Sequence, residues 1–149
     1  MKKAFSLVEI LVVVTIISIL ASIAAVSYSR FVKQSRDARR KTDLEQIRAA
    51  IELYRNFKGA YPTPGMVFGT DALVDGSVVP TIMYMSKIPN DPMSVGPSSN
   101  TYYYTSSGTY QDYTLCAYTE GTTDSTSIVG ASCGSSLTCN YCMGPYGQK

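Results

Sequence analysis

At 149 residues the chain has the size of one ordinary domain, which argues against a multidomain machine. It is 45% hydrophobic and 16% charged with a net charge of +2, which indicates neither a disordered chain nor a globally basic nucleic-acid binder. With no His, it has no His-dependent triad, no His general base and none of the commonest metal ligand.

The modest net charge averages over unlike segments. Met1-Lys2-Lys3 opens the chain with positive charge, and the twenty residues from Ile10 to Ser29 are all uncharged. As a helix, twenty residues span roughly 30 Å, the thickness of a hydrocarbon core. The leading lysines predict that the extreme N-terminus stays cytoplasmic. Three general readings compete for such a stretch. It could be a cleavable signal peptide, with Ser22 and Ala24 as the small residues before a cut. It could be a plain membrane anchor. Least favoured is a buried soluble helix, because the run is apolar all round. Glu9, at the edge of the run, separates these from something more specific. A carboxylate costs ~2.5–3.5 kcal/mol at the centre of a spanning helix and less near its end. Signal peptides and simple anchors have no use for one.

After Ser29 the pattern becomes amphipathic. From Arg30 to Lys58 there are nine basic residues against four acidic ones. Leu44, Ile47, Ile51 and Tyr54 make one helical stripe with Ala50 and Phe57 beside it, while Arg36, Arg39, Arg40, Asp43, Arg48, Glu52 and Arg55 occupy the other faces. Asp37–Lys41 has i,i+4 ion-pair spacing in the favoured order. Lys33–Asp37, Arg39–Asp43, Lys41–Glu45 and Arg48–Glu52 have it in the weaker order. No Gly or Pro precedes Gly59, so one unbroken helix is predicted from about Phe5 to about Phe57. At 1.5 Å per residue it would be roughly 80 Å long.

The segment Lys2-Lys3-Ala4-Phe5-Ser6-Leu7-Val8-Glu9-Ile10-Leu11-Val12-Val13 resembles the leader and helix start of type IV pilins and type II secretion pseudopilins. The family pattern is a basic leader, a small residue, Phe, three residues, Glu and an apolar run. The resemblance implies that a membrane prepilin peptidase cuts between Ala4 and Phe5 and methylates the new Phe5 amine. Glu9 then becomes the fifth mature residue, the charge partner of a neighbouring subunit's amine during assembly. The chain differs from the pattern in having Ala4 where Gly is usual, and no Pro within the apolar half.

Beyond the helix, turn signals recur at Tyr61-Pro62, Pro64-Gly65, Asp75-Gly76, Pro89-Asn90-Asp91-Pro92 and Gly96-Pro97. Residues 101–105 and 110–119 read as an antiparallel hairpin, with Tyr113, Leu115 and Ala117 on one face and Thr114, Cys116 and Tyr118 on the other. Tyr102, Tyr103 and Tyr104 are expected to pack on the helix stripe with their phenol oxygens at the surface. The segment Ile88-Pro89-Asn90-Asp91-Pro92 is similar to the loop before the sheet in major pseudopilins, with Met93-Ser94 in place of their Trp-Gly. Some relatives bind calcium nearby. Asp112, Glu120, Asp124 and Ser125 carry candidate oxygen ligands, but without a fixed ligand spacing, so solvated carboxylates and no cofactor are expected.

The four cysteines lie in the presumed exported part, where an even count favours disulfides. Three connectivities are possible. The favoured one joins Cys116 to Cys142 and Cys133 to Cys139. Cys139-Asn140-Tyr141-Cys142 has redox-motif spacing but no thioredoxin-like βαβ surroundings, so catalysis is not expected.

The predicted fold is pilin-like α+β, divided into a leader (1–4), the apolar half of the helix (5–29), its amphipathic half (30–58) and a β-rich domain (59–149). The predicted role is a structural subunit rather than an enzyme. It is a single-pass protein of the cytoplasmic membrane, with its C-terminal part outside the cytoplasm, that assembles with other subunits on a pilus or secretion platform. A competence pilin that contacts DNA is the alternative within the family, disfavoured because residues 59–149 hold two basic and six acidic residues. An anchored adhesin that never polymerises, and a membrane-anchored enzyme, are the readings from other classes.

Overall fold

The computed structural model describes residues 6–76, 81–95, 99–121, 130–134 and 136–148. Helix α1 runs unbroken over Leu7–Lys58, as the absence of Gly and Pro dictates. It stops where Gly59 turns left-handed (φ 74°) and donates its N–H to the Arg55 carbonyl at 2.7 Å. Arg55 and Lys58 in the last turn complement the negative end of the helix dipole.

Beyond the helix lie two antiparallel sheets. Strands β1 (Leu73–Asp75) and β2 (Ile82–Met85) form a short hairpin with an irregularity between Leu73 and Val74. The second sheet is a four-stranded meander in the order β3 (Tyr103–Ser106), β4 (Tyr113–Ala117), β5 (Tyr141–Gly144) and β6 (Gly147–Gln148). The β3–β4 hairpin is the one read from the sequence, with strands shorter than the Tyr/Thr runs that carry them. The fold is thus pilin-like α+β, a long helix with small antiparallel sheets.

The chain divides into two compact units, with the boundary between Ser35 and Arg36. In the second unit, Leu44, Ile47, Ala50 and Ile51 of α1 are buried in one cluster with Tyr104, Tyr113, Leu115, Ala117, Tyr141 and Met143 of the meander and with Tyr102 just before it. Burying each large aliphatic side chain stabilises the unit by about 1.5–3 kcal/mol. Tyr54 is only partly buried, and Phe57 is 64% exposed rather than part of the stripe, because the helix ends one residue later. The opposite face of β4 carries Cys116 into a second cluster with Ala131, Cys133, Cys139 and Cys142, flanked by Tyr103 and Tyr118. Here Gly134 (φ 128°) lets the chain pass close to residues 99 and 100. A Cβ at that position would meet the Ser99 carbonyl oxygen at 2.7 Å.

Candidate functional site

Two constellations stand out, one in each unit. In the first unit, the apolar side chains of α1 from Leu7 to Ile23 are uncovered, with exposures from 47% for Val12 to 79% for Leu7. This stretch is long and apolar enough to cross a membrane. Its hydroxyl side chains do not break the apolar surface. Thr15 donates its hydroxyl to the Val12 carbonyl at 2.8 Å and Ser18 to Val14 at 2.7 Å. Ser22 donates to Ile19 at 2.7 Å and Ser27 to Ile23 at 3.2 Å. Each hydroxyl is satisfied within the helix, so none demands a partner outside it.

Glu9 is exposed in the first turn, where the helix dipole favours a negative charge. Its N–H and that of Ile10 both bond to the Ser6 carbonyl, at 3.1 and 3.3 Å. Ala21, Ser22 and Ala24 are also exposed on this segment, small enough to permit close helix approach. Ala4 and Phe5, the proposed cleavage pair, lie outside the described residues.

In the second unit, a charged cluster pins α1 to two loops. The Arg40 side chain is fully buried, contrary to its expected place on an outer face. It grips Asp91 with a two-pronged contact, Nε to Oδ2 at 2.7 Å and Nη2 to Oδ1 at 3.2 Å. Its Nη1 donates to Asp37 at 2.6 Å and to Glu120 at 3.1 Å. Arg36 holds the same Glu120 through both Nε and Nη2. Asp37 also accepts the backbone N–H groups of Glu120 and Gly121, each at 2.9 Å. Asp91 accepts the Met93 N–H at 2.7 Å. Two guanidiniums and three carboxylates thus satisfy one another, which makes burial of the charges tolerable.

The electrostatics arise from these contacts. Burial works against the Arg40 charge, but Asp91, Glu120 and Asp37 more than offset it and hold the guanidinium protonated more firmly than usual. The Arg36 hydrogen bond, opposed by burial and aided by Arg40, holds the Glu120 carboxyl below its ordinary range. Burial, then the bond to Asp43, pushes the Tyr102 phenol up.

Nothing local in the sequence reveals this cluster, because Arg40 lies 51 residues from Asp91 and 80 from Glu120. The one available signal was the Pro-Asn-Asp-Pro segment that carries Asp91. The predicted i,i+4 partners of Asp37 give way to Arg40 at i,i+3. Arg48 reaches Glu45 and the Pro145 carbonyl, while Glu52 accepts the Tyr61 hydroxyl. The tyrosines correct another expectation. Tyr102 donates its hydroxyl to Asp43 at 2.8 Å and Tyr104 to the Pro62 carbonyl at 2.7 Å, so both phenol oxygens point inward. A phenol that finds an internal acceptor can be buried whole.

Cys116 is bonded to Cys142 and Cys133 to Cys139, the pairing favoured from the sequence. The first bond crosses β4 and β5 at directly opposed positions, and the second closes the loop leading into β5. Of the calcium candidates, Glu120 is held by the two arginines. Asp112 is exposed before β4 and accepts the Tyr113 N–H at 2.8 Å. Asp124 and Ser125 lie outside the described residues. Among the described residues, no group of three or more His, Cys, Asp or Glu could hold a metal.

Comparison with known proteins matches two stretches of the chain. Residues 1–25 match the prokaryotic N-terminal methylation motif, and residues 28–132 match the family model of type II secretion system protein G. The chain is 31% identical over 121 residues to the type II secretion system core protein G of Pseudomonas aeruginosa, covering 76% of this chain and 80% of that protein. It is 30% identical over 82 residues to the fimbrial protein EcpC of Eikenella corrodens, covering 55% of this chain and about half (54%) of the relative. It is 40% identical over 52 residues to the type IV major fimbrial protein FimA of Dichelobacter nodosus, covering 35% of this chain and 33% of that one. No solved structure matches the chain significantly. The long helix, the methylation motif at its start and the match over residues 28–132 lead to one assignment: the chain belongs to the type II secretion system protein G family.

Proposed function

We propose that the chain is a non-enzymatic structural subunit of a type II secretion pseudopilus. In this reading the apolar half of α1 holds it in the cytoplasmic membrane with residues 36–149 on the outer side. A prepilin peptidase cuts between Ala4 and Phe5 and methylates the Phe5 amine. The subunit then joins a filament of like helices on an assembly platform. The observation that carries the reading is the uncovered apolar face of α1 from Leu7 to Ile23, joined to the methylation motif over residues 1–25. Such a face is stable only in lipid or against similar helices. The protein G match over residues 28–132 favours a pseudopilus over a pilus. No cofactor or metal is assigned, and the Arg36 and Arg40 contacts to Glu120 support leaving that carboxylate out of any ion site.

Cleavage removes Lys2 and Lys3 and exposes an amine at Phe5, four residues before Glu9. In a low-dielectric bundle an unpaired Glu9 is costly, and the amine of a neighbouring subunit neutralises it. Glu9→Gln keeps the shape and removes the charge. Membrane insertion should be unchanged or slightly improved, while assembly should weaken by roughly 3–5 kcal/mol because the amine is left buried without a partner. Filament yield and membrane-fraction yield, measured together, test this. Normal filaments from the variant, or an intact mass showing a new N-terminus at Ala25, would sink the reading.

A further inference from the structure

Nine basic residues lie between positions 30 and 58. Six of them have partners within the second unit: Arg36, Arg40, Arg48, Arg55 and Lys58 bond to polar or acidic groups, and Lys41 lies over the Tyr141 ring. Of the remaining three, Arg39 is an exposed residue of the second unit, whereas Arg30 and Lys33 lie next to the apolar run. Both are exposed, and neither has a hydrogen-bond or ion-pair partner among the described residues. Asp37, four residues after Lys33, turns its oxygens to Arg40 and to the N–H groups of Glu120 and Gly121.

Their depth is informative. If Ile10–Ser29 fills a hydrocarbon core of ~30 Å, a rise of 1.5 Å per residue places Arg30 and Lys33 within roughly 6 Å of its edge. The headgroup layer is about 5–8 Å thick on each side, so both cations fall inside it. Being i and i+3, they stand side by side on one helix face. Tyr28 and Phe31, 71% and 69% exposed, occupy another face at the same level, where aromatic side chains favour the membrane–water boundary. Topology does not account for the cations, because the positive-inside bias puts basic residues on the cytoplasmic side.

We propose that Arg30 and Lys33, framed by Tyr28 and Phe31, form a collar that gathers anionic phospholipid headgroups of the outward-facing leaflet around the helix. The inference rests on the membrane-inserted reading above. It adds to that reading a preference for lipid charge, which insertion alone does not require. Phosphate diesters supply the missing counter-charge at the right depth, in a layer where salt screens less fully than in bulk water.

Because the chain contains no Trp, Tyr28→Trp introduces the only indole, placed at the collar. The full-length protein is reconstituted in phosphatidylcholine vesicles with a minority of phosphatidylglycerol. Acyl-chain bromine, a short-range quencher, is carried by one lipid or by the other at equal mole fraction. The expected result is stronger quenching by the brominated phosphatidylglycerol, equivalent to a local enrichment of roughly fivefold for one cation and more for two. Adding Arg30→Gln and Lys33→Gln should abolish the preference and leave quenching by brominated phosphatidylcholine unchanged. Equal quenching by the two lipids in the parent would overturn the collar and leave these cations for the carboxylates of another protein, with the inserted helix intact. A preference that survives the double substitution would also overturn it. Quenching by neither lipid would overturn the collar together with the inserted reading on which it rests.

Discussion

One helix passes through both units of this protein, yet its two parts are stabilised by different means. From Leu7 to Ile23, apolar side chains are uncovered, and the hydroxyls of Thr15, Ser18 and Ser22 bond to their own backbone. After Arg36, the apolar stripe is sealed by tyrosines and the charges are matched across loops. The local rules that make each half helical are the same. The difference lies in where the stabilising contacts come from: outside the chain for the first half, inside it for the second. Substitutions therefore have separable readouts, folding for the second unit and assembly or insertion for the first.

The largest expected effect that would sharpen this contrast is Arg40→Met. It removes one guanidinium from a cluster that then holds three carboxylates against Arg36 alone, and it should destabilise the second unit by about 3–5 kcal/mol. Denaturant unfolding of the detergent-solubilised chain measures it, with membrane-fraction yield as the control. Arg39→Ala, on the exposed face one position earlier, should stay within roughly 0.5 kcal/mol. Equal effects from the two would show that the buried cluster does not hold the unit together.

The disulfides come next and should differ from each other. Cys116–Cys142 closes a separation of 26 residues, for which loop entropy gives about 3.5 kcal/mol. Cys133–Cys139 closes only 6, worth roughly 2 kcal/mol on the same scale. Melting of Cys142→Ser beside Cys133→Ser, each under non-reducing conditions, should reproduce that order. Neither should alter insertion of the first unit.

Acid supplies a smaller and graded effect. The Glu120 carboxyl is held below its ordinary value of 4.5 by Arg36, so its contribution is fully present above that pH. The contribution is lost as pH falls through the lower folded-state value. Melting temperature should therefore be insensitive to Glu120 between neutrality and about pH 5, and should decline at lower pH. Glu120→Gln should flatten that acid limb. An unchanged limb would assign it to the other carboxylates.

The same division governs how much could be read from the residues alone. Continuity of α1, its end at Gly59, the stripe of Leu44, Ile47 and Ile51, and the face alternation of β4 all come from local pattern, because burial there obeys helix or strand periodicity. The cluster around Arg40 was not legible. A guanidinium on a helix reads as solvent-facing until carboxylates far along the chain are brought to it. Tyr102 and Tyr104 were misjudged for a related reason, since a phenol can be buried only where an acceptor awaits it, and both acceptors come from α1 or the turn after it. Phe57 failed in the other direction: periodicity set it beside the stripe, but it is 64% exposed, with the Tyr84 ring centre 6.0 Å away.

The inward-bonded hydroxyls of Thr15, Ser18, Ser22 and Ser27 have one more consequence. A helix that moves from lipid to a bed of neighbouring helices normally exchanges polar partners as it goes, and each exchange adds a barrier. For these four hydroxyls no hydrogen bond has to be broken on departure or remade on arrival. The two environments then differ for this segment mainly in shape, in how closely side chains interlock, and in the single carboxylate at its leading end. A surface of that kind is suited to repeated, reversible transfer, with direction set by geometry and one charge.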